Sequence, residues 1–227
     1  MHRILRKALE ETKGDYKDAL RKAFLDVDND LVNNGGLADV GKWRKEKPQN
    51  KSKMMQMMQQ VMAIKKGENP DQEEDEDLDG IGCTANVCLV DHKAKKLFVS
   101  NAGDSRCIMG HGGKCLALSK DHKPDDPIEI ARIEAAGSVI EQGRVDGGLN
   151  LTRALGDLRY KKKNLKAEDH PVTANPDVFE YDLPNDLDFI FMGCDGVWER
   201  KSNEEMCEWL YGMLKDKKTA DLKAVCS

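Results

Sequence analysis

At 227 residues the chain can hold one large domain or two small ones, and one is expected. Charged residues make up 34% and the net charge is −5, which excludes nucleic-acid binding driven by bulk positive charge. The apolar runs are too short to span a bilayer and no signal-peptide pattern follows Met1, so neither a membrane nor a direct nucleic-acid partner is expected. The seven cysteines (Cys83, Cys88, Cys107, Cys115, Cys194, Cys207 and Cys226) are odd in number and form no CxxC pair. They read as reduced thiols of a cytoplasmic or nuclear protein.

Two helices open the chain. Ile4, Leu5, Ala8 and Leu9, then Tyr16, Ala19, Leu20, Ala23, Phe24 and Val27, recur at helical spacing, with Gly14 between the two sets and Asp15 placed as an N-cap. Their basic residues read as a solvated face. Residues 1–41 thus form an N-terminal helical region. Residues 42–79 differ: they are polar, contain the Met-rich "MMQMMQQVM", and close on "ENPDQEEDEDLD", which carries eight acidic residues and no basic one. Such a block repels itself and is expected to be a disordered insertion, a solvated spacer in preference to a dock for a basic protein.

Residues 80–227 turn to β character. "TANVCLV" and "KLFVSNA" predict one hairpin, and "SRCIMG" and "KCLALS" around "HGG" a second. A helix follows, with Asp126 as N-cap, Pro127 at its first position, Glu129 placed for a capping box and Gly137 at its end. Further strands are predicted at Ser138–Ile140, Gly148–Leu151, Val178–Tyr181 and Asp188–Cys194. The last helix has Ser202 and Glu205 as its capping box and Met206, Trp209, Leu210 and Met213 as its apolar stripe. Helices, a block of strands and a helix imply an α+β fold in which helices cover antiparallel sheets.

Two predicted strands end alike: "LFVSNAGDSR" delivers Asp104 and "FIFMGCDGVWE" delivers Asp195, each beside a glycine that permits a sharp turn. On spacing alone, plain turn dipeptides explain both. Cys194 is a weak nucleophile candidate, because the adjacent carboxylate raises a thiol's pKa.

Read in order, "GCTANVCLV", "VSNAGDSR", "LSKDHKPDD", "EIARIEAAGSVI", "RVDGGLNLTRALGD", "TANPDV" and "FIFMGCDGVWE" resemble the metal-dependent protein phosphatase type 2C family over residues 80 to about 214. The acidic tract before "GCTA" is most similar to the gamma type. The resemblance implies a four-layer α/β/β/α sandwich of two antiparallel sheets flanked by helices, and Mg²⁺ or Mn²⁺ as cofactor. It also implies hydrolysis of phosphoserine or phosphothreonine on a phosphoprotein substrate by metal-activated water.

Carried over by motif, Asp195 matches a ligand of the catalytic metal centre and Asp104 a carboxylate of a weaker adjoining site. Glu199 stands where the family has an Asp of that weaker site, and Arg153 and Asp157 match site-bracing residues. Residues 122–149 correspond to a flap beside the site. The family's early "DGHGG" motif, its general-acid His, its phosphate-binding Arg and its late "DN" motif have no match here, so no catalytic side chain is assigned and the sandwich is expected to be incomplete at both ends. "MGHGG" at 109–113 carries Met109 where a ligand is required, so His111 is expected in a hairpin turn and His122 as a hydrogen-bonded loop residue. Three functions are open on this reading. One is a protein serine/threonine phosphatase, another is a catalytically silent module with a protein partner covering its exposed sheet edges, and the third is a structural protein, which leaves the motifs unexplained.

Overall fold

The structure, a computed structural model, describes residues 1–33 and 80–214. The acidic insertion, the Met-rich segment and Cys226 lie outside the described residues. Helices α1 (His2–Glu11) and α2 (Tyr16–Asn33) are separated at Lys13 and Gly14, both at positive φ. The Asp15 carboxylate then starts α2 by accepting the Asp18 amide at 3.0 Å. Ala8, Ala19 and Ala23 bury between the two helices, small residues that let the backbones approach, while Phe24 turns away from α1 into the sheet below.

Two three-stranded antiparallel sheets form the centre. One has the order β2 (Ala85–Asp91), β3 (Lys96–Ala102), β9 (Asp177–Asp182), and the other the order β10 (Leu187–Gly193), β4 (Arg106–His111), β5 (Lys114–Ala117). The twofold repeat of a strand assigns their faces. In β3, Leu97 and Val99 meet Cys107 and Met109 of β4 in the core between the sheets, whereas Ala102 packs under Phe24 of α2. In β4, Ile108 points the other way, toward Met206, Cys207 and Leu210 of helix α5 (Asn203–Met213). A register shift between Leu187 and Phe189 lets Leu187 and Ile190 share the inner face of β10 despite their odd spacing. The layers are therefore helix, sheet, sheet, helix.

The remaining elements are α3 (Pro127–Ala135), the short hairpin of β6 (Ile140–Glu141) and β7 (Arg144–Val145), β8 (Leu155–Gly156) paired with β1 (Gly82–Cys83), and the short helix α4 (Asp195–Trp198). Ile133 of α3 and Val145 of β7 pack with Ala154 and Val172 in a small core of their own.

Three local expectations are corrected. Residues 148–151 do not form a strand. Asp146 and Gly147 both lie at positive φ, and the Gly148 amide closes a turn on the Val145 carbonyl at 3.0 Å, which breaks the extended run. In α5 the capping box of Ser202 and Glu205 is present, but the buried face is Met206, Cys207 and Leu210, leaving Trp209 and Met213 at 39% and 46% exposure. At α3, Asp126 caps the Ile128 amide at 3.0 Å, but Glu129 makes no capping box because its carboxylate is committed to the interior.

Candidate functional site

The last strand residues of β3 lead into Gly103 at φ +109, where a side chain would collide with Thr84 and the Arg153 carbonyl. Only glycine fits there without strain. Asn101 is buried and donates to the carbonyls of Gly103 (3.0 Å) and Lys120 (2.9 Å), tying the end of β3 to the strap that enters the flap. That strap is doubly joined: the His122 amide donates to the Gly103 carbonyl at 3.1 Å, and the Gly103 amide donates to His122 Nδ1 at 3.2 Å. Asp104, next in the chain, is thus set on a backbone held from both sides. It is 3% exposed, and its carboxylate is ion-paired with Lys123.

Behind His122 lies a buried polar network. His122 Nε2 stands 3.2 Å from Asp177 Oδ2 at the start of β9, and Asp177 Oδ1 accepts Arg153 Nη1 at 2.8 Å. Arg153 reaches Glu129 Oε1 through Nη2 at 2.6 Å, and Glu129, 1% exposed, also accepts Thr152 (2.6 Å) and pairs with Arg132 (2.7 Å). His122 and Arg153 hold the Asp177 carboxyl well below the usual carboxylate range. Burial alone would raise Glu129, but Arg153, Arg132 and Thr152 outweigh it and its pKa is lowered. The network is thus two carboxylates facing two guanidiniums, and it connects α3 to the Gly103 turn.

The second half of the site comes from the other sheet. Arg106 of β4 and Gly193 of β10 are register partners. Asp104 precedes Arg106 and Asp195 follows Gly193, so both carboxylates leave the same end of adjacent strands. Arg106 fixes this end: it forks onto Asp121 at 2.8 Å through both Nε and Nη2, donates to Asn203 Oδ1 at 2.7 Å, and lies 5.1 Å over the Trp198 ring. Trp198 in turn donates to the Gly193 carbonyl at 2.7 Å, which sets the exit of β10 into α4. Asp195 opens α4 with its side chain exposed, and Glu199, also exposed, lies one helical turn on and therefore on the same face.

Asp104, Asp195 and Glu199 thus share one rim of the sandwich, but among the described residues no three His, Cys, Asp or Glu groups gather closely enough to hold an ion. An all-oxygen donor set has the right chemistry for a hard divalent cation. Its number and closeness fall short, so the described residues do not fit a two-cation centre.

Arg153 occupies the centre of the buried network. Asp157 lies apart, at positive φ, its carboxyl against Gly82 and its pKa raised by burial. His111 ends β4 beside the Gly112–Gly113 turn, 3.4 Å from Asp186. His122 is a hydrogen-bonded loop residue. The Cys207 thiol is pushed up to about 12 by burial and its contact with Cys115, and Cys107 is also raised, mainly by Cys88 and by burial. Neither is a thiolate at neutral pH.

Sequence reasoning missed Glu129, Asp177, Arg106 and Lys123. For Arg106 the signal was a charged residue opening an apolar strand; for Glu129, an acid on the inward face of a helix.

The protein phosphatase 2C family model matches residues 27–227. "Probable protein phosphatase 2C 21" of Arabidopsis thaliana is 39% identical over 227 residues, covering 94% of this chain and 61% of that protein. "Protein phosphatase 1G" of Homo sapiens is 44% identical over 138 residues, covering 60% of this chain and 25% of that one. The chain thus spans less than two thirds of the length of either relative. Among solved structures, serine-threonine phosphatase 2C from Toxoplasma gondii superposes with a TM-score of 0.61 at 19% identity over 95% of this chain and 63% of that chain, which supports the fold. A phosphatase from a pathogenic strain of the same organism gives 0.53 at 36% identity, over 57% of this chain and 40% of that one. With the layered sandwich, the paired strand ends and the family match in agreement, the chain belongs to the protein phosphatase 2C family.

Proposed function

We propose that this chain forms part of a protein serine/threonine phosphatase that uses Mg²⁺ or Mn²⁺ to hydrolyse phosphoserine or phosphothreonine in a phosphoprotein, in the cytoplasm or nucleus. The observation that carries the reading is that Asp104 and Asp195 leave the same end of adjacent strands in a phosphatase 2C sandwich. A divalent cation at that rim would have to draw further ligands from beyond the described residues, because Asp104, Asp195 and Glu199 do not gather closely enough to hold it. The chain's own residues do the positioning: the Gly103 turn and His122 fix Asp104, Trp198 and Arg106 fix the β10 exit, and Asp195 and Glu199 present carboxylates to solvent. Arg153 and Asp157 act in this reading as braces and not as reacting groups.

The alternative is a catalytically silent module that binds a phosphoprotein, with a protein partner adding strands at the outer edges of β5 and β10. The absence of a three-donor cluster among the described residues favours it. Hydrolysis of a phosphothreonine peptide by the purified chain at millimolar Mn²⁺ separates the two. Turnover that disappears in Asp195→Asn supports the enzyme. Peptide binding without turnover supports the module, and turnover unchanged in Asp195→Asn removes Asp195 from the site.

A further inference from the structure

Two thiols that the functional reading leaves unused face each other across the gap between the sheets. Cys88 of β2 is the register partner of Val99 and so lies on the inner face of its sheet, and Cys107 of β4 lies on the inner face of the other. Cys88 packs against the buried cluster that contains Cys107, and the two thiols are in contact. The strands that carry them are also tied together beside the sulfurs. Asn86, two residues before Cys88 and on the same face, donates to Ser119 Oγ at 3.4 Å, and that hydroxyl accepts the Cys107 amide at 2.9 Å. Cys107 is buried and Cys88 half-buried, so an oxidant arriving from solvent reaches Cys88 first. Contact with Cys107 holds the Cys88 thiol below its ordinary value, against the opposing effect of burial, and this favours the reactive thiolate. The other touching pair is less suited: Cys115 Sγ donates to the Asn203 carbonyl at 3.2 Å, and the Cys207 thiol is pushed up to about 12.

We propose that Cys88 and Cys107 form a redox-sensitive pair, which hydrogen peroxide converts into a disulfide that cross-links the two sheets. The Cys88 thiolate attacks one peroxide oxygen, the O–O bond breaks, and the departing hydroxide takes up a proton to become water. Cys88 is then a sulfenic acid. The Cys107 sulfur attacks that sulfur, the S–O bond breaks as the S–S bond forms, and the hydroxyl leaves with the Cys107 proton as a second water. Two thiols thus lose two electrons and two protons to one peroxide. A dithiol reductant restores them by exchange, as in the transient disulfides of reducing compartments. The bond forms one residue from Arg106, whose guanidinium holds Asp121, Asn203 and Trp198. Oxidation therefore pins the sandwich beside the rim, and it requires no bound ion.

The test treats the reduced full chain with a small excess of hydrogen peroxide, blocks the remaining thiols by alkylation and maps the disulfides by mass spectrometry. The peptide carrying Cys88 should be recovered linked to the one carrying Cys107, and dithiothreitol should remove the link. Closing this loop should raise the thermal denaturation midpoint by about 10 °C. Cys88→Ser should abolish both the link and the rise, whereas Cys115→Ser should leave both in place. Should Cys88→Ser fail to fold, the map of the wild-type chain decides alone. Recovery of both thiols unoxidised overturns the proposal, as does a link from either one to a different cysteine, or Cys88 found as a sulfinic acid with Cys107 still a thiol. A link that forms without any rise in the midpoint overturns the claim that the bond fits within the packed sandwich.

Discussion

The two carboxylates at the rim stand in opposite surroundings. Asp104 is buried, ion-paired, and set on a turn that a network of five side chains (His122, Asp177, Arg153, Glu129 and Arg132) connects to the flap. Asp195 is exposed at the start of a four-residue helix, held through its backbone by the Trp198 bond to Gly193, with no partner for its own oxygens among the described residues. One half of the rim is built by the fold before any ligand arrives. The other is left unpaired among the described residues and open to solvent.

The largest break in this contrast should come from Glu129→Ala. It leaves Arg132 with backbone carbonyls but no carboxylate and Arg153 with Asp177 as its remaining carboxylate, and removing one member of a buried ion set costs roughly 3–5 kcal/mol. Urea unfolding of the full chain measures it, and Glu129→Gln, which fills the same space and keeps one acceptor oxygen, should lose less. His122→Ala comes next. It leaves the buried Gly103 amide unsatisfied, at a cost of about 1–3 kcal/mol, and it should loosen the turn that carries Asp104.

The pH dependence sharpens the comparison. The folded-state pKa of Asp177 is depressed, so its contribution to stability is complete above the unfolded carboxylate value near 3.9 and is lost as pH falls through that value toward the folded one. Asp177→Asn should therefore be less stable than wild type at pH 7 and show a shallower loss of stability below about pH 4. A denaturation midpoint measured across that range checks both. Asp195→Asn should do least to stability, within about 0.5 kcal/mol, because nothing in the fold leans on its side chain. The same substitution should remove any Mn²⁺-dependent turnover.

How much of this could be read from the residues follows the same division. The place of both carboxylates at strand ends was legible because each follows an apolar strand and sits by a glycine, but that local pattern reads as a turn, and only the family resemblance implied a cation ligand. The sandwich was legible because strand alternation and helix caps are local too. The brace was not. His122 and Asp177 lie 55 positions apart, and Glu129 and Arg153 meet 24 apart, on segments with no shared periodicity. Glu129 was even assigned to the wrong task, since an acid at the third helical position suits both a capping box and an inward-facing ion pair, and only packing decides. Trp209 and Met213 were placed on the wrong side of α5 for a similar reason. A helix this short offers two plausible apolar stripes, and the sheet beneath selects Met206 and Leu210.

Amide hydrogen exchange on the full chain tests the contrast most directly. The amides of Gly103 and His122 should exchange only through large-scale opening of the domain, orders of magnitude more slowly than those of Asp195 and Gly196 at the start of α4. Comparable rates in the two segments, or faster exchange at Gly103, would contradict the account.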